Sequence, residues 1–331
     1  MATYNPKYTV AIITQDSTRY TVTEAMTRLY RQENDGEIAQ RVTIGLANVL
    51  VNGRYLSAIF NVRNRVFVYA DDGEKNEEVF RGFVWERSYS SRKRELTLTC
   101  YDNLIYFQES EEYQYFSAGY STKSICGTLC SKWGVTLIYN YQSITHPKLP
   151  LRGTLSDIFL TDLLEEVKKK TGAKSVMRSK QDAVYIDSVG SNKTVYKLYR
   201  GEGGNAIDAG DTTTMQGMVT KVVILGKEDD NERAPIADTA TADTDSYGTL
   251  QKILNVSSGT DLAEVKKEAA EILNEKGNPK QTFSVEAVDI PWIRKGDKVQ
   301  VVAGEMNGHF IVKSISHDGL SKIMDLEVEQ A

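Results

Sequence analysis

The sequence contains few residues that bind metals or form covalent crosslinks. Among 331 residues there are 3 cysteines, Cys100, Cys126 and Cys130, and 3 histidines. This odd, low cysteine count predicts no disulfide framework. Cys126 and Cys130 are one helical turn apart, which favours two buried apolar side chains over a metal site, because no histidine stands in ligand spacing to them. We therefore expect neither a metal nor another cofactor.

Long apolar runs are also missing. No stretch approaches the roughly 18 consecutive apolar residues of a membrane-spanning helix, so no membrane insertion is expected. The N-terminal segment, MATYNPKYTVAIIT, lacks a charged region followed by a long apolar core, which predicts no signal peptide. The sequence thus predicts a protein that is made in the cytoplasm and leaves the cell only by lysis or inside an assembly.

Excess charge is small and confined to one segment. The net charge is −5, which argues against a protein whose main task is gripping DNA phosphates. Residues 226–245 hold seven acidic residues against two basic ones, so this segment alone accounts for the excess, and the remainder is close to neutral. Because large apolar residues are scarce there, we predict a mobile acidic loop over 226–246.

The first 110 residues alternate between apolar and polar positions, as half-buried strands do. Tyr8–Thr14, Arg41–Leu46 and Arg65–Ala70 show this pattern, and turns containing Asn and Gly separate them. Thr21–Arg31 contains good helix formers, but its alternation around Met26 favours a strand. We therefore predict an antiparallel β domain over residues 1–110.

Helical periodicity begins after residue 110. Ser121–Trp133 repeats apolar residues every four positions, and Ser156–Thr171 carries a longer apolar stripe with Ser156 as its cap and Gly172 as its end. Short strands are predicted at residues 135–139, 173–178 and 183–187. Residues 111–190 are therefore predicted to form a small α/β domain with two helices.

Strand patterns return from about residue 194. The segment 191–331 is predicted as a second β domain that includes the acidic loop and an amphipathic helix over 261–276, followed by alternating strands to the C-terminus. The predicted fold class is thus α+β and multi-domain, with two antiparallel β-barrel or sandwich domains flanking the α/β domain.

No sequence pattern singles out an active site. The glycines in Gly201–Gly204 lack the lysine and hydroxyl residue of a phosphate-binding loop, and Glu165 and Glu166 fit a solvated helix face next to lysines. There is no nucleophile elbow. These observations favour a component of an assembly over an enzyme.

Several short motifs occur in the order and spacing of one family. Phe80-Arg81-Gly82-Phe83-Val84 leads to Leu96–Asp102, and Tyr247–Gln251 follows the acidic segment. Near the C-terminus, Ile293–Val299 precedes Gly308–Val312, Ile315–His317 and Met324–Leu326. Together these motifs resemble those of XkdQ/YqbQ-like proteins from PBSX-type prophage tails, although position 310 is Phe where the family has Tyr.

The resemblance implies a structural baseplate hub of a contractile phage tail or a phage-tail-like bacteriocin. The two β domains would then share the tail-tube fold. A homotrimer would present six such domains and connect the six-fold tube to the three-fold central spike. The implied partners are the chain itself, the spike, the tube, other baseplate proteins and the tape measure, while DNA would only pass through the lumen.

Two groups of residues are candidate protein–protein contacts. The basic cluster Arg87, Arg92, Lys93 and Arg94 resembles a charged hairpin tip, which is either a solvated turn or a contact with a neighbour. The aromatic run with Tyr113, Tyr115 and Phe116 lies where the first β domain meets the α/β domain. The alternative function is a tail-associated module that binds the cell wall or cleaves peptidoglycan, which would need an aromatic platform or a carboxylate pair in a cleft.

Overall fold

The computed structural model describes residues 5–226, 234–256 and 261–331. Within this part of the chain, the residues up to Gly210 together with Ser284–Ala331 form one compact unit, and Asp211–Phe283 form a second. The compact units therefore divide the predicted third domain, because residues 211–283 of its range 191–331 form a unit of their own.

The first β region consists of strands, a 3-10 helix at Thr23–Ala25 and one short α-helix. In chain order they are β1 Lys7–Ile13, β2 Arg19–Thr21, β3 Met26–Glu33, β4 Arg41–Ala47, β5 Leu50–Val51, β6 Arg54–Tyr55, α1 Leu56–Ile59, β7 Arg65–Asp71, β8 Asn76–Ser90 and β9 Glu95–Tyr101. The strand predicted over Thr21–Arg31 is present only from Met26 onward, because Thr23–Ala25 form the 3-10 helix. In β7, side chains alternate strictly between buried and half-buried, so the strand contributes one face to the core.

The α/β region follows. Its elements are α2 Ile105–Gln108, β10 Glu111–Phe116, α3 Thr122–Lys132, β11 Leu137–Asn140, β12 Leu149–Thr154, α4 Leu155–Asp157, a π-helical segment Ile158–Leu164, α5 Glu165–Thr171, β13 Ser175–Lys180 and β14 Ala183–Ser188. β14 pairs with β11 in parallel and with β13 antiparallel, and β10 pairs with β12. The helices cover these strands with a core that includes Phe107, Leu129 and Phe159.

Both predicted helices of this region are present, with one corrected cap. Ser121 Oγ accepts a hydrogen bond from the Ser124 amide at 3.2 Å, which caps α3. The second helix begins earlier than predicted, since the Thr154 hydroxyl caps it by accepting from the Asp157 amide. Ser156 is therefore not the cap. Gly172 ends α5 in the left-handed conformation, as predicted.

The remaining elements complete both units. They are β15 Tyr196–Tyr199, β16 Ala206–Thr214, β17 Lys221–Leu225, β18 Ile236–Thr241, α6 Thr244–Tyr247, β19 Gln251–Asn255, α7 Leu262–Lys276, β20 Lys280–Val288, β21 Lys298–Ala303, β22 Met306–Asp318 and β23 Ile323–Gln330. Among the described residues, no helix is both long and apolar enough to cross a membrane.

One sheet joins the N-terminal and C-terminal β regions. Its path is β16-β20-β23-β22-β3-β4-β9-β8-β7-β1-β2, and β21 pairs with both β15 and β22. The junction is the antiparallel pair of β22 with β3, in which Ile315 faces Glu33 and His317 faces Arg31. Strands that the sequence alone assigns to two separate domains therefore belong to one continuous hydrogen-bonded sheet.

The second unit packs α7 on a three-stranded sheet. β17 lies between β18 and β19, and Val265 and Ala269 of the helix share one buried apolar cluster with Val222 and Ile224 of the central strand. The predicted helix 261–276 is confirmed, with Asp261 as its cap. The predicted mobile loop 226–246 is wrong over Ile236–Thr241, which is a strand, while 227–233 lie outside the described residues.

Candidate assembly site

The segment Asp289–Asp297 contains the start of the C-terminal motif, Ile293–Asp297, and lies between two parts of the first unit. Its backbone is tied down by hydrogen bonds from the Gly296 amide to the Val312 carbonyl and from the Gly190 amide to the Gly296 carbonyl, both at 2.8 Å. We call this segment the docking loop. Its polar side chains contact the first β region on one side and the α/β region on the other.

Arg294 joins the docking loop to β3. Its guanidinium donates from Nε to Oε1 of Glu33 at 2.9 Å and from Nη2 to Oε2 at 3.0 Å, and Nη1 donates to the Ser179 carbonyl at 2.8 Å. Burial raises the pKa of Glu33, but the charge and hydrogen bonds of Arg294, together with the charges of Lys295 and Arg31, outweigh burial and hold that pKa below its ordinary value. One guanidinium thereby connects the docking loop, the first β region and the α/β region.

A second buried pair lies at the start of the docking loop. His317 Nδ1 is 2.6 Å from Oδ1 of Asp289, and the Tyr8 hydroxyl donates to Oδ2 of the same carboxylate. His317 Nε2 lies 3.1 Å from the Ile293 carbonyl. Burial lowers the pKa of His317, with a further contribution from Arg31, against the opposing effect of Asp289.

Three more acids, Asp297, Asp187 and Asp102, complete the polar cluster. Arg178 of β13 donates to Asp297 at 2.7 Å and to Asp187 at 3.2 Å, which connects the α/β sheet with the docking loop. Asp102 accepts from the Gln40 amide at 3.1 Å and the Leu104 amide at 3.0 Å. Burial raises the pKa of Asp102 to about 7, so this carboxyl gains a proton more easily than an exposed one.

The polar groups of this cluster bind one another and thereby hold the docking loop in place. Asp289 and His317 are almost inaccessible to solvent, and each has its polar atoms bonded to neighbouring protein groups. Within the described ranges, no group of three or more His, Cys, Asp or Glu side chains could hold a metal ion. A cavity of about 120 Å³ borders Arg31, Asp102 and Arg294, and the Asp102 carboxylate beside it accepts hydrogen bonds from two backbone amides.

The packing around Gly82 explains why the first motif contains a glycine. A Cβ atom at Gly82 would overlap the Tyr101 carbonyl oxygen, so only glycine permits the close approach of β8 and β9. Phe83 and Tyr101 face each other in this pair. The two halves of the motif, Phe80–Val84 and Leu96–Asp102, are therefore neighbours on adjacent strands.

The predicted basic cluster lies at the turn between β8 and β9. Arg92, Lys93 and Arg94 are exposed there. Arg87 is only half-buried and donates from Nη2 to the Ser57 carbonyl at 2.7 Å, so it fastens α1 to the hairpin. The structure brings the three exposed residues together and places Arg87 beside them in a supporting position.

The aromatic candidates separate into two groups. Tyr113 and Tyr115 project from one face of β10 and are 67% and 49% exposed. Phe116 is 4% exposed and belongs to the α/β core, so it is not part of the exposed surface. The strand alternation places Phe116 with Glu112 on the inner face.

Sequence reasoning missed an apolar surface beside the basic turn. Val49, Leu50 and Tyr55 are 44%, 59% and 52% exposed, and the Asn48 amide donates to the Arg94 carbonyl at 2.9 Å. The Asn52-Gly53 turn predicts the hairpin of β5 and β6, but nothing in the local pattern indicates that its apolar residues face outward.

Solved structures with this fold include several tail proteins. The 43 kDa tail protein of prophage MuSo2 from Shewanella oneidensis has a TM-score of 0.68 at 13% identity, and the match covers 98% of both chains. A tail protein from Neisseria meningitidis MC58 has a TM-score of 0.67 at 13% identity, over 98% of this chain and 97% of that chain.

A third match comes from a different system. An Escherichia coli component of the type VI secretion system, described as structurally similar to T4 bacteriophage tail proteins gp27 and gp5, has a TM-score of 0.53 at 9% identity. That match covers 92% of this chain and 73% of the other. The fold of the chain is thus that of phage tail proteins.

The family is defined by a direct sequence match. The model of the YQBQ-like family matches residues 73–329, which is more than half of the chain. The chain therefore belongs to the YQBQ-like family, which confirms the resemblance drawn from its motifs. No curated protein matches the chain.

Proposed function

We propose that the protein is a structural baseplate hub of a contractile phage tail or phage-tail-like particle. In this role it connects the six-fold tail tube to the three-fold central spike. The observation that carries the proposal is the match to two tail proteins over nearly the full length of each chain, together with membership of the YQBQ-like family.

The sheet supports this role. Two β regions of one chain are joined through β3 and β22, which is an arrangement that would let each chain supply two tube-like domains to a ring. Three chains would then supply six. The edge strands of such a sheet need covering in the assembled particle, because open edges invite aggregation, and ring closure covers them.

The proposed partners are a homotrimer of the chain, the spike, the tube and other baseplate proteins, with the tape measure as a further contact. DNA would pass through the lumen without lasting contact. The protein would be made in the bacterial cytoplasm and assembled into the virion or tail-like particle.

Light scattering behind a sizing column tests the hub. The purified 37.0 kDa chain is measured alone, with the spike encoded nearby, and with the tube protein. A particle of three chains, alone or with the spike, supports the hub. A strict monomer in every mixture contradicts it, and release of fragments from peptidoglycan by the purified chain would favour the wall-cleaving alternative.

A further inference from the structure

The turn between β8 and β9 and the adjacent β5–β6 hairpin form one surface that is both apolar and basic. We call it the basic end, and it comprises Val49, Leu50, Arg54, Tyr55, Arg92, Lys93 and Arg94. The Asn48 amide bonds to the Arg94 carbonyl, so the two hairpins are directly connected, and the Leu56 amide bonds to the Val49 carbonyl at 3.1 Å across the base of the β5–β6 hairpin. Exposed tyrosine and arginine around an apolar centre are typical of protein interfaces.

An acidic surface with exposed tyrosines lies at β10. We call it the acidic strand, and it comprises Glu109, Glu111, Tyr113, Tyr115 and Asp157. Glu111 pairs in register with Thr154, whose hydroxyl donates to Asp157 at 2.7 Å, so Glu111 and Asp157 share one patch, and Glu109 lies two positions before Glu111. Exposed Arg152 faces Tyr113 on the same side of the strand pair, so three acids against one arginine leave the patch net acidic. The patch therefore complements the basic end in charge, and both surfaces contain exposed tyrosine.

The charges of both surfaces are unpaired within the chain. Among the residues that the structure describes, neither Arg92, Lys93 and Arg94 nor Glu109, Glu111 and Asp157 form an ion pair within 4.0 Å. By contrast, Arg178, Arg294 and Lys132 are each paired with a carboxylate. The unpaired charges are thus available to a partner.

The two surfaces lie toward opposite ends of β9. The basic end adjoins Glu95, where β9 begins, and β9 has 7 residues, which span roughly 20 Å at about 3.3 Å per residue. Beyond its other end, the Gln108 side chain accepts from the Ala39 amide at 3.1 Å, which places Glu109 near the start of β4. The two surfaces are therefore better placed to contact each other between two copies of the chain than within one copy.

We propose that copies of this chain bind head to tail, with the basic end of one copy on the acidic strand of the next. Because each copy uses two different surfaces, the contact is heterologous and closes into a ring when the rotation per copy allows. The proposal rests on the trimeric hub proposed above and adds the surfaces that join its chains.

Charge reversal tests the contact on the full chain. The tip variant is Arg92→Glu with Lys93→Glu, and the strand variant is Glu109→Lys with Glu111→Arg. Each variant should raise the Kd of self-association at least about 10-fold at low ionic strength, because it replaces attraction by repulsion. The variant with all four substitutions should recover the wild-type trimer, measured by light scattering alone and with the spike.

A mixture of the tip and strand variants adds a sharper test. Every tip–strand contact between unlike chains is complementary in the mixture, whereas contacts between like chains are repulsive. A ring of three chains drawn from two variants always places at least one pair of like chains next to each other, and that contact is repulsive. The mixture should therefore form pairs and not trimers. The matched control, Lys123→Glu with Lys193→Glu, makes the same charge change on exposed lysines elsewhere and should assemble like the wild type.

The outcomes separate this proposal from the hub itself. A wild-type trimer that both reversals leave intact overturns the head-to-tail contact and keeps the hub. A four-substitution variant that assembles no better than the single-surface variants also overturns the contact. A wild-type chain that stays monomeric in every mixture overturns both proposals.

Discussion

Arg294 and Glu33 form a bidentate ion pair between residues that lie 261 positions apart in the sequence. The side chain of Glu33 is 5% exposed, and that of Arg294 is 18% exposed. The pair bridges β3 and the docking loop, and Arg294 also holds the Ser179 carbonyl of the α/β region. The Arg294 side chain thus connects three parts of the first unit that are distant in the sequence.

Loss of one partner of this pair should strongly destabilise the protein. Arg294→Met leaves the buried Glu33 carboxylate without its bidentate partner, and we expect the free energy of unfolding to fall by about 3–5 kcal/mol. Urea denaturation followed by circular dichroism measures the change. Adding Glu33→Leu should recover part of the loss, since the buried charge is then removed.

A matched control separates this effect from the general loss of an arginine. Arg200 forms an exposed ion pair with Asp208 at 3.4 Å. Arg200→Met should change the free energy of unfolding by less than about 1 kcal/mol. Equal losses for Arg200→Met and Arg294→Met would contradict the bracing role of Arg294.

His317 should make stability depend on pH below neutrality. Burial lowers its pKa in the folded protein, whereas the unfolded chain protonates near the ordinary value of 6.5. The unfolded chain therefore binds the proton first, so this residue lowers the free energy of unfolding as pH falls below about 6.5, by at most about 1.4 kcal/mol per pH unit.

Asp102 has the opposite effect in an overlapping range. Its raised pKa of about 7 means that the folded protein binds this proton first, which increases stability as pH falls from 7 toward the ordinary value of 3.8. The contribution of His317 is therefore measured as the difference between wild type and His317→Gln in urea denaturations from pH 7.5 to 5.5.

That difference should shrink as the pH falls, because only the wild type carries the buried imidazole. His309→Gln is the matched control, since it removes an exposed imidazole from the same strand, β22. A difference between wild type and His317→Gln that is constant over this range would contradict the burial of a neutral His317.

Gly296 should tolerate no side chain. Its φ of +85° lies in the left-handed region, and a Cβ atom would approach three atoms of Val176 to 2.8 Å. We expect Gly296→Ala to lower the free energy of unfolding by about 2–4 kcal/mol, from backbone strain and overpacking. Differential scanning calorimetry should show a lower Tm.

Gly127 provides the control for this substitution. It lies within helix α3, and a Cβ atom added there would point into open space, with no neighbouring side chain within 4 Å. Gly127→Ala should raise the free energy of unfolding by up to about 1 kcal/mol, because alanine favours helix. A Gly296→Ala protein as stable as the wild type would show that the docking loop can shift away from Val176.

Neighbouring aromatic residues of β10 should respond in opposite ways. Phe116→Ala removes a ring from the α/β core and should cost about 3–5 kcal/mol of unfolding free energy. Tyr115→Ala removes an exposed ring and should change stability by less than about 0.5 kcal/mol. Chemical denaturation of both variants checks the assignment, and similar losses would contradict the strand's two-sided burial.

Local patterns in the sequence determined many of the helices and strands of this protein. The alternation of Arg65–Asp71 and the capped, amphipathic helix Leu262–Lys276 follow from residues within a few positions of one another. The family motifs were also recognisable from their order. These features could be predicted because a strand's two faces and a helix's caps depend on neighbours in sequence.

Only the tertiary structure decided how these elements meet. The tertiary structure pairs β3 with β22, joins Glu33 to Arg294 in an ion pair and places Leu50 on the surface. No periodic pattern in the local sequence predicts any of these three features. Phe116 looked like its neighbour Tyr115 in sequence, but packing against the helices buried it. Long-range contacts depend on how whole faces pack, and that information is distributed over the chain and absent from any short segment.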